Sequence, residues 1–241
     1  MERYKVILAY DGTAFSGMQR QANRRSVQGE VEKALRKLRW KQKSILAAGR
    51  TDAGVHAARQ VIAFDLEWKH KPSDLLKALN AELPADVAAK RVSIAKADFH
   101  PRFDAKRRRY EYRIFCQPQR DPLRERYAWR VWPAVKLSSL QAAARQLRGE
   151  HDFAAFGSPP KEGGGTVRKV FQARWRKVGQ DEYLFEVSAN AFLYHMVRRM
   201  VGMQVKIGQG DEGSIKGVFR NKSKVRELAS AHGLTLAEVE Y

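Results

Sequence analysis

The chain has one cysteine, Cys116, among its 241 residues. No internal disulfide can form, and a cysteine-rich structural zinc site is excluded with it. Acidic residues are outnumbered, 26 against 46 basic ones, for a formal net charge of +20 and a pI near 10.3. No apolar run approaches the roughly 20 residues needed to span a bilayer. The opening "MERYKVILAY" starts charged and reads as a strand, not a signal peptide, so a cytoplasmic location and no membrane contact are the expectation. The histidines, His56, His70, His100, His151, His195 and His232, are scattered without ligand-like spacing. No nucleophile elbow and no dinucleotide fingerprint appear. The "GGG" at 163–165 lacks both the following Lys-Ser/Thr and the helix start of a phosphate loop.

What the chain does have is positive charge interleaved with aromatic rings, as in "KRRRYEYRIF" (106–115) and "RERYAWRVW" (124–132). A surface this basic repels itself and calls for a polyanionic partner. Aromatic faces set among the cations point to nucleic acid rather than to a merely solvated exterior.

Hydrophobic periodicity gives the organisation. Alternation over Arg3–Gly12 reads as a strand. Ser26 then caps a helix whose face carries Val27, Val31, Ala34, Leu35 and Leu38. Short strands follow at Ile45–Ala48 and Gln60–Trp68. Pro72 opens a helix carrying Leu75, Leu76 and Leu79, and Val87–Ala95 is a strand. Strand, helix, strand, strand, helix, strand is the split βαβ order. The second half runs alike: a strand at Arg108–Cys116 with a partner in "RYAWRVW", a helix at Ser138–Leu147, and strands at 167–178 and 182–190 turning at Gly179-Gln180-Asp181. A helix capped by Asn190 then runs to about Lys206, and Leu234–Tyr241 is a last strand. The fold class expected is α+β: two ferredoxin-like (RRM-like) units, 1–106 and 107–241, whose antiparallel sheets line a central basic cleft. The charge is shared, with 21 basic and 12 acidic residues before position 107 and 25 and 14 after it. The Gly/Pro-rich stretch at 158–169 reads as a loop, not a boundary.

The sharpest local feature is "AAGRTDAGVHA" (47–57), where Asp52 sits between Gly49 and Gly54, two residues after Arg50. One reading is a turn whose carboxylate bonds backbone N–H groups. A calcium loop is disfavoured because no further carboxylates follow at alternate positions. The other reading is a working carboxylate: in extended backbone Arg50 and Asp52 point the same way, and a guanidinium nearby keeps an acid ionised and able to act on an electrophilic carbon. Taken alone, Tyr110 reads as a sheet-face core residue and Leu234 as ordinary core. Arg198 lies on an otherwise apolar helix with Met196, Val197, Met200 and Val201, so it must find a partner or snorkel outward.

Five blocks resemble the TruA family of tRNA pseudouridine synthases, in the family's order and across nearly the whole chain. They are "YDGTAFSGMQRQ" (10–21), "RSVQGEVEKAL" (25–35), "AGRTDAGVHA" (48–57), "FHPRFDAKRRRYEYRI" (99–114) and "NAFLYHMVRRMVG" (190–202). Met18 stands where that family usually has Trp. The resemblance implies an isomerase that detaches uracil from ribose at N1 and rejoins it through C5, without cofactor or metal, at positions 38–40 of the tRNA anticodon stem-loop. It makes Asp52 the catalytic residue, Arg50 its partner, Tyr110 the ring under the target base, Arg198 a guanidinium directed at the acid, and Leu234 an apolar contact to the uracil. Arg199 would meet phosphate. It also implies a homodimer with tRNA across both subunits. Two rivals remain: a non-catalytic RNA-binding protein of two RRM-like units, and a metal-dependent nuclease.

Overall fold

The computed structural model describes residues 1–159 and 163–241. Pro160, Lys161 and Glu162, inside the loop expected at 158–169, lie outside the described residues. The chain divides into two compact units. One comprises Met1–Lys106 with Leu236–Tyr241, and the other comprises Arg107–Thr235.

In the first unit β1 (Glu2–Tyr10) is followed by α1 (Val27–Lys37), β2 (Leu46–Ala47), β3 (His56–Leu66), α2 (Pro72–Glu82) and β4 (Val87–Ile94). β1 pairs antiparallel with both β3 and β4. The short β2 also lies on β3, with Leu46 opposite Ala63. The alternation read in β1 has the expected outcome: Tyr4, Val6, Leu8 and Tyr10 are buried while Lys5 and Ile7 are only half-covered. The buried set joins Val27, Val31, Leu35, Leu75 and Leu79 from the two helices in one core. Ser26 caps α1 by accepting from the Gly29 N–H at 3.2 Å, and Pro72 opens α2. β3 starts four residues earlier than the alternation suggested. His56 and Ala57 are paired but polar or small, so they carry no apolar signal.

In the second unit β5 (Arg107–Cys116), β6 (Trp129–Val131), α3 (Leu137–Arg145), β7 (Gly149–Asp152), β8 (Val167–Lys177), β9 (Glu182–Ala189), α4 (Met196–Gly208) and α5 (Ile215–Asn221) occur in that order. The antiparallel sheet runs β5-β9-β8-β7, and β6 adds to β5 in parallel. Its core gathers Tyr112, Phe115, Leu140, Phe153, Phe156, Phe185 and Met200. The chain ends in β10 (Leu234–Glu240). From Leu236 on, it belongs to the first unit, where it neighbours β3.

Asn190 is not the cap of α4. Its side-chain oxygen instead accepts from the N–H groups of Lys169 and Ala191, at 3.0 and 2.9 Å. The helix begins six residues later, after His195, which takes a left-handed conformation with φ of 63°. Ala191–Tyr194 form an irregular approach, because the Asx bonds hold the chain to the end of β8 before it can turn into a helix. Among the described residues no helix is long and apolar enough to cross a membrane.

Candidate active site

In the first unit, the Asp52 loop is built by two segments that lock onto each other. The Met18 N–H donates to the Thr51 carbonyl at 3.0 Å, and the Gly54 N–H donates to the Phe15 carbonyl at 3.3 Å. Val55 N–H closes a turn on the Asp52 carbonyl at 3.2 Å. The approach is so close that only glycine fits opposite. A Cβ on Gly12 would lie 2.1 Å from the Val55 carbonyl oxygen. One on Gly17, whose φ is +104°, would lie 2.7 Å from the Thr51 carbonyl oxygen and 3.3 Å from the Asp52 carbonyl carbon. The "YDGTAFSG" and "RTDAG" blocks therefore form one structure, two pieces of chain whose backbones touch.

The loop's interior is polar and paired. Thr51 is buried, and its hydroxyl shares a 2.8 Å hydrogen bond with the Tyr10 hydroxyl. Burial pushes the Tyr10 phenol up to about 12 against the opposing bonds from Thr51 and Gln60. The fully buried Gln60 amide donates to the Gly49 carbonyl at 3.0 Å, fixing the other side of the loop. Gly12 N–H donates to Nδ1 of buried His56 at 3.0 Å, and Asp11 Oδ1 lies 3.2 Å from that nitrogen. Asp52 itself is half-buried, with Thr51 below it and Ala53 exposed beside it. Its backbone is pinned on both sides, while the residue as a whole stays partly exposed.

The expected ion pair between Arg50 and Asp52 is not formed. Arg50 is exposed and bonds to no carboxylate among the described residues. Residues 49–52 belong to no strand, so nothing holds them to the regular alternation that the same-side argument assumes, and the turn closed by Val55 follows at once. The guanidinium is left facing solvent, where a phosphate can meet it.

In the second unit Tyr110 sits on β5 opposite Val187 and is 9 % exposed, with the ring of Phe192 edge-on at 5.0 Å. Its neighbour on the same strand face, Tyr112, is fully buried and donates to the Ser230 carbonyl at 2.6 Å. Burial raises the Tyr112 phenol well above its ordinary value, and the charge of Arg198 works against that rise. Tyr112 is thus the structural member of the pair. Arg198, half-buried on α4, donates from Nε to the Ala229 carbonyl at 2.8 Å, and the Ala229 N–H returns a bond to the Arg198 carbonyl. That clasp orients the guanidinium and satisfies the demand for a partner on an apolar helix. Arg199 points elsewhere, donating to the Phe156 carbonyl at 3.4 Å, and its buried Nε lacks a hydrogen-bond partner among the described residues. Leu234 is buried at the start of β10, directly after a single 3₁₀ turn at Ala231–Gly233.

The supporting residues Tyr10, Gly12, Gly17, Thr51, His56 and Gln60 were not singled out from sequence. Tyr10, Gly12, Gly17, Thr51 and His56 lie inside two glycine-bearing blocks that only contact geometry ties together, and Gln60 lies just beyond the second. Met18 is buried, a packing residue under the same loop. Among the described residues no group of three His, Cys, Asp or Glu side chains gathers as metal ligands would.

A family profile described as tRNA pseudouridine synthase matches residues 6–104 and 143–241, well over half of the chain. The chain is 41 % identical over its full length to tRNA pseudouridine synthase A of Geobacillus kaustophilus, covering 95 % of that protein. It is 38 % identical over its full length to tRNA pseudouridine synthase A of Limosilactobacillus fermentum, covering 96 % of that protein. Among solved structures, an archaeal box H/ACA Nop10–Cbf5 complex is similar over 86 % of this chain and 43 % of that one, at 13 % identity and a TM-score of 0.43, too slight a likeness to bear on fold or activity.

Proposed function

Because the chain belongs to the tRNA pseudouridine synthase family, we propose that it isomerises uridine to pseudouridine in tRNA with Asp52 as the catalytic carboxylate. The reaction breaks the N1–C1′ bond, turns the uracil, and forms a C5–C1′ bond. The proton leaves C5 and N1 ends protonated, so nothing is gained or lost. Cleavage develops positive charge on the ribose, which a carboxylate can stabilise or trap. Both roles need an ionised acid held at a fixed point yet open to the substrate. The observation that carries this reading is the half-buried Asp52 on a backbone pinned by Met18, Phe15 and Val55.

In this reading Tyr110 stacks on the target base, an interaction worth roughly 1–3 kcal/mol per base. Leu234 gives the uracil an apolar contact, Arg198 directs charge toward the carboxylate, and Arg50 meets a phosphate. The target uridines are 38–40 of the anticodon stem-loop, which must be flipped out at a cost of a few kcal/mol. Phosphate contacts across both basic sheets offset that cost. Each unit is ferredoxin-like in this account, supported by the order β4-β1-β3 with β2 on β3 in the first and β5-β9-β8 in the second. The enzyme works in the cytoplasm as a homodimer, and needs no cofactor.

The test is incubation of an unmodified tRNA anticodon stem-loop with the protein in EDTA, followed by carbodiimide mapping. Pseudouridine at 38–40 is expected, with the RNA intact. Asp52→Asn is expected to lower conversion by at least roughly 10²-fold while tRNA binding is kept. RNA shortening that requires added metal would instead support the nuclease, and an unaffected Asp52→Asn the non-catalytic binder.

A further inference from the structure

The first unit carries a second basic feature, apart from the Asp52 loop, and none of its residues has a role in the chemistry above. A cavity of about 340 Å³ opens on its sheet, lined by Lys5 and Ile7 of β1, Arg59 and Val61 of β3, Arg91 and Ser93 of β4, and Val239 and Tyr241 at the chain's end. The register explains the grouping. Ile7 lies opposite both Val61 and Arg91, and Lys5 opposite Ser93, so these side chains share the face of β1 that alternates with the buried Tyr4, Val6 and Leu8. Lys5 and Arg91 are diagonal neighbours across the β1–β4 pair, a spacing that long side chains bridge.

This group of charges is unbalanced. Among the described residues neither Lys5 nor Arg91 has a carboxylate at ion-pair distance, and Arg59 reaches Glu238 only at 3.9 Å. Lys5 instead lies over aromatic faces, its Nζ 3.8 Å from the Tyr241 ring centroid and 5.1 Å from that of Phe99. Tyr241 is itself held by a 2.8 Å bond to the Pro101 carbonyl. Burial, and then the charge of Arg91, lower the Lys5 ammonium below its ordinary value. Like charges set side by side on a sheet are destabilising, and an anion placed between them removes the repulsion. The floor of Ile7, Val61 and Val239 is apolar, which suits the carbon face of a sugar attached to that anion.

We propose that this cavity binds a backbone phosphate of the RNA substrate, with Lys5, Arg59 and Arg91 as its cations and the apolar floor taking the adjoining ribose. The assignment of RNA as the source rests on the proposed function; the phosphate chemistry rests on the cavity alone. It makes the sheet of the first unit a holding surface as well as a scaffold for the Asp52 loop.

The test compares tRNA binding by full-length wild type, Arg59→Gln, Arg91→Gln and Arg91→Lys across a salt series. Each Gln variant is expected to flatten the slope of log K against log salt by about 1 and to raise KM several-fold, with the loss falling on KM rather than kcat. Arg91→Lys should keep the wild-type slope, and melting curves check that all variants fold. Unchanged slopes in both Gln variants overturn the proposal. Calorimetric titration with inorganic phosphate alone forms the second arm. Phosphate binding that is lost in Arg91→Gln, with the tRNA slope unaltered, would give the cavity to a free phosphate and overturn the RNA assignment. Slopes that flatten in a protein that makes no pseudouridine would leave the phosphate site standing and sink the synthase reading.

Discussion

Gly17 sets the position of Asp52 more directly than any side chain does. Its backbone has φ of +104°, and the space where a Cβ would go is filled by the Thr51 carbonyl. Gly17→Ala must pay left-handed strain of roughly 1–2 kcal/mol and also push the Thr51–Asp52 peptide away. We expect a modest fall in melting temperature but a much larger fall in pseudouridine yield, with tRNA affinity retained. A drop in yield no greater than the loss of folded protein would show that the loop's position is not what matters. At this scale the sequence was informative about identity and silent about contact. Asp52 stood out because a carboxylate in a glycine-bracketed loop is unusual in so basic a chain. The missing Arg50–Asp52 pair was illegible because side-chain direction depends on how the loop is held, and it is held by distant residues: the Met18 N–H donates to the Thr51 carbonyl and the Phe15 carbonyl accepts from Gly54. Lys5, Arg59 and Arg91 are 32 or more positions apart and look like ordinary surface charges until the β1–β3 and β1–β4 registers align them.

Among the elements, those with a chemical start signal were readable. Ser26 caps α1 through Gly29, and Pro72 opens α2. Ser26→Ala is expected to cost about 1 kcal/mol, or roughly 2–4 °C in melting temperature for a chain of this size. Thermal unfolding measures this directly; the first turn of α1 also bonds through the Val27 and Gln28 N–H groups to the Gly17 and Met18 carbonyls, so a small fall in kcat is expected even where both proteins are folded. Elements without such signals were missed. β7 is four residues, Gly149–Asp152, too short and too polar for an alternation signal, and paired with β8. α5 is seven residues with a single buried side chain, Ile215, although its Ser214 cap accepting from Gly217 resembles the Ser26 cap. The start of α4 was misjudged because Asn190 is an equally good Asx residue, and only the neighbouring β8 strand decides which backbone N–H groups it takes.

For the molecule as a whole, charge governs how stability depends on pH. Arg3 holds the Asp65 carboxyl below its usual range through a direct hydrogen-bonded pair, and Arg124 does the same for Asp181. These carboxylates bind protons less readily folded than unfolded. Their contribution is therefore full above the ordinary carboxylate range and lost as pH falls through their lowered values. Protonation also raises the net charge beyond +20, adding self-repulsion that salt screens. Melting temperature should accordingly fall as pH drops from 5 toward 3, less steeply in added salt, and Asp65→Asn should show a shallower acid limb than wild type. A parallel limb in the variant would assign the acid sensitivity to other carboxylates. The path of the chain carries one more consequence. The strip of β3 beside β10 is covered only by residues from Leu236 onward, so on the ribosome the first unit must wait, with that edge bare, while some 130 further residues are made. Nascent chains stalled before Leu236 emerges keep that edge unpaired and are the ones most exposed to edge-to-edge association.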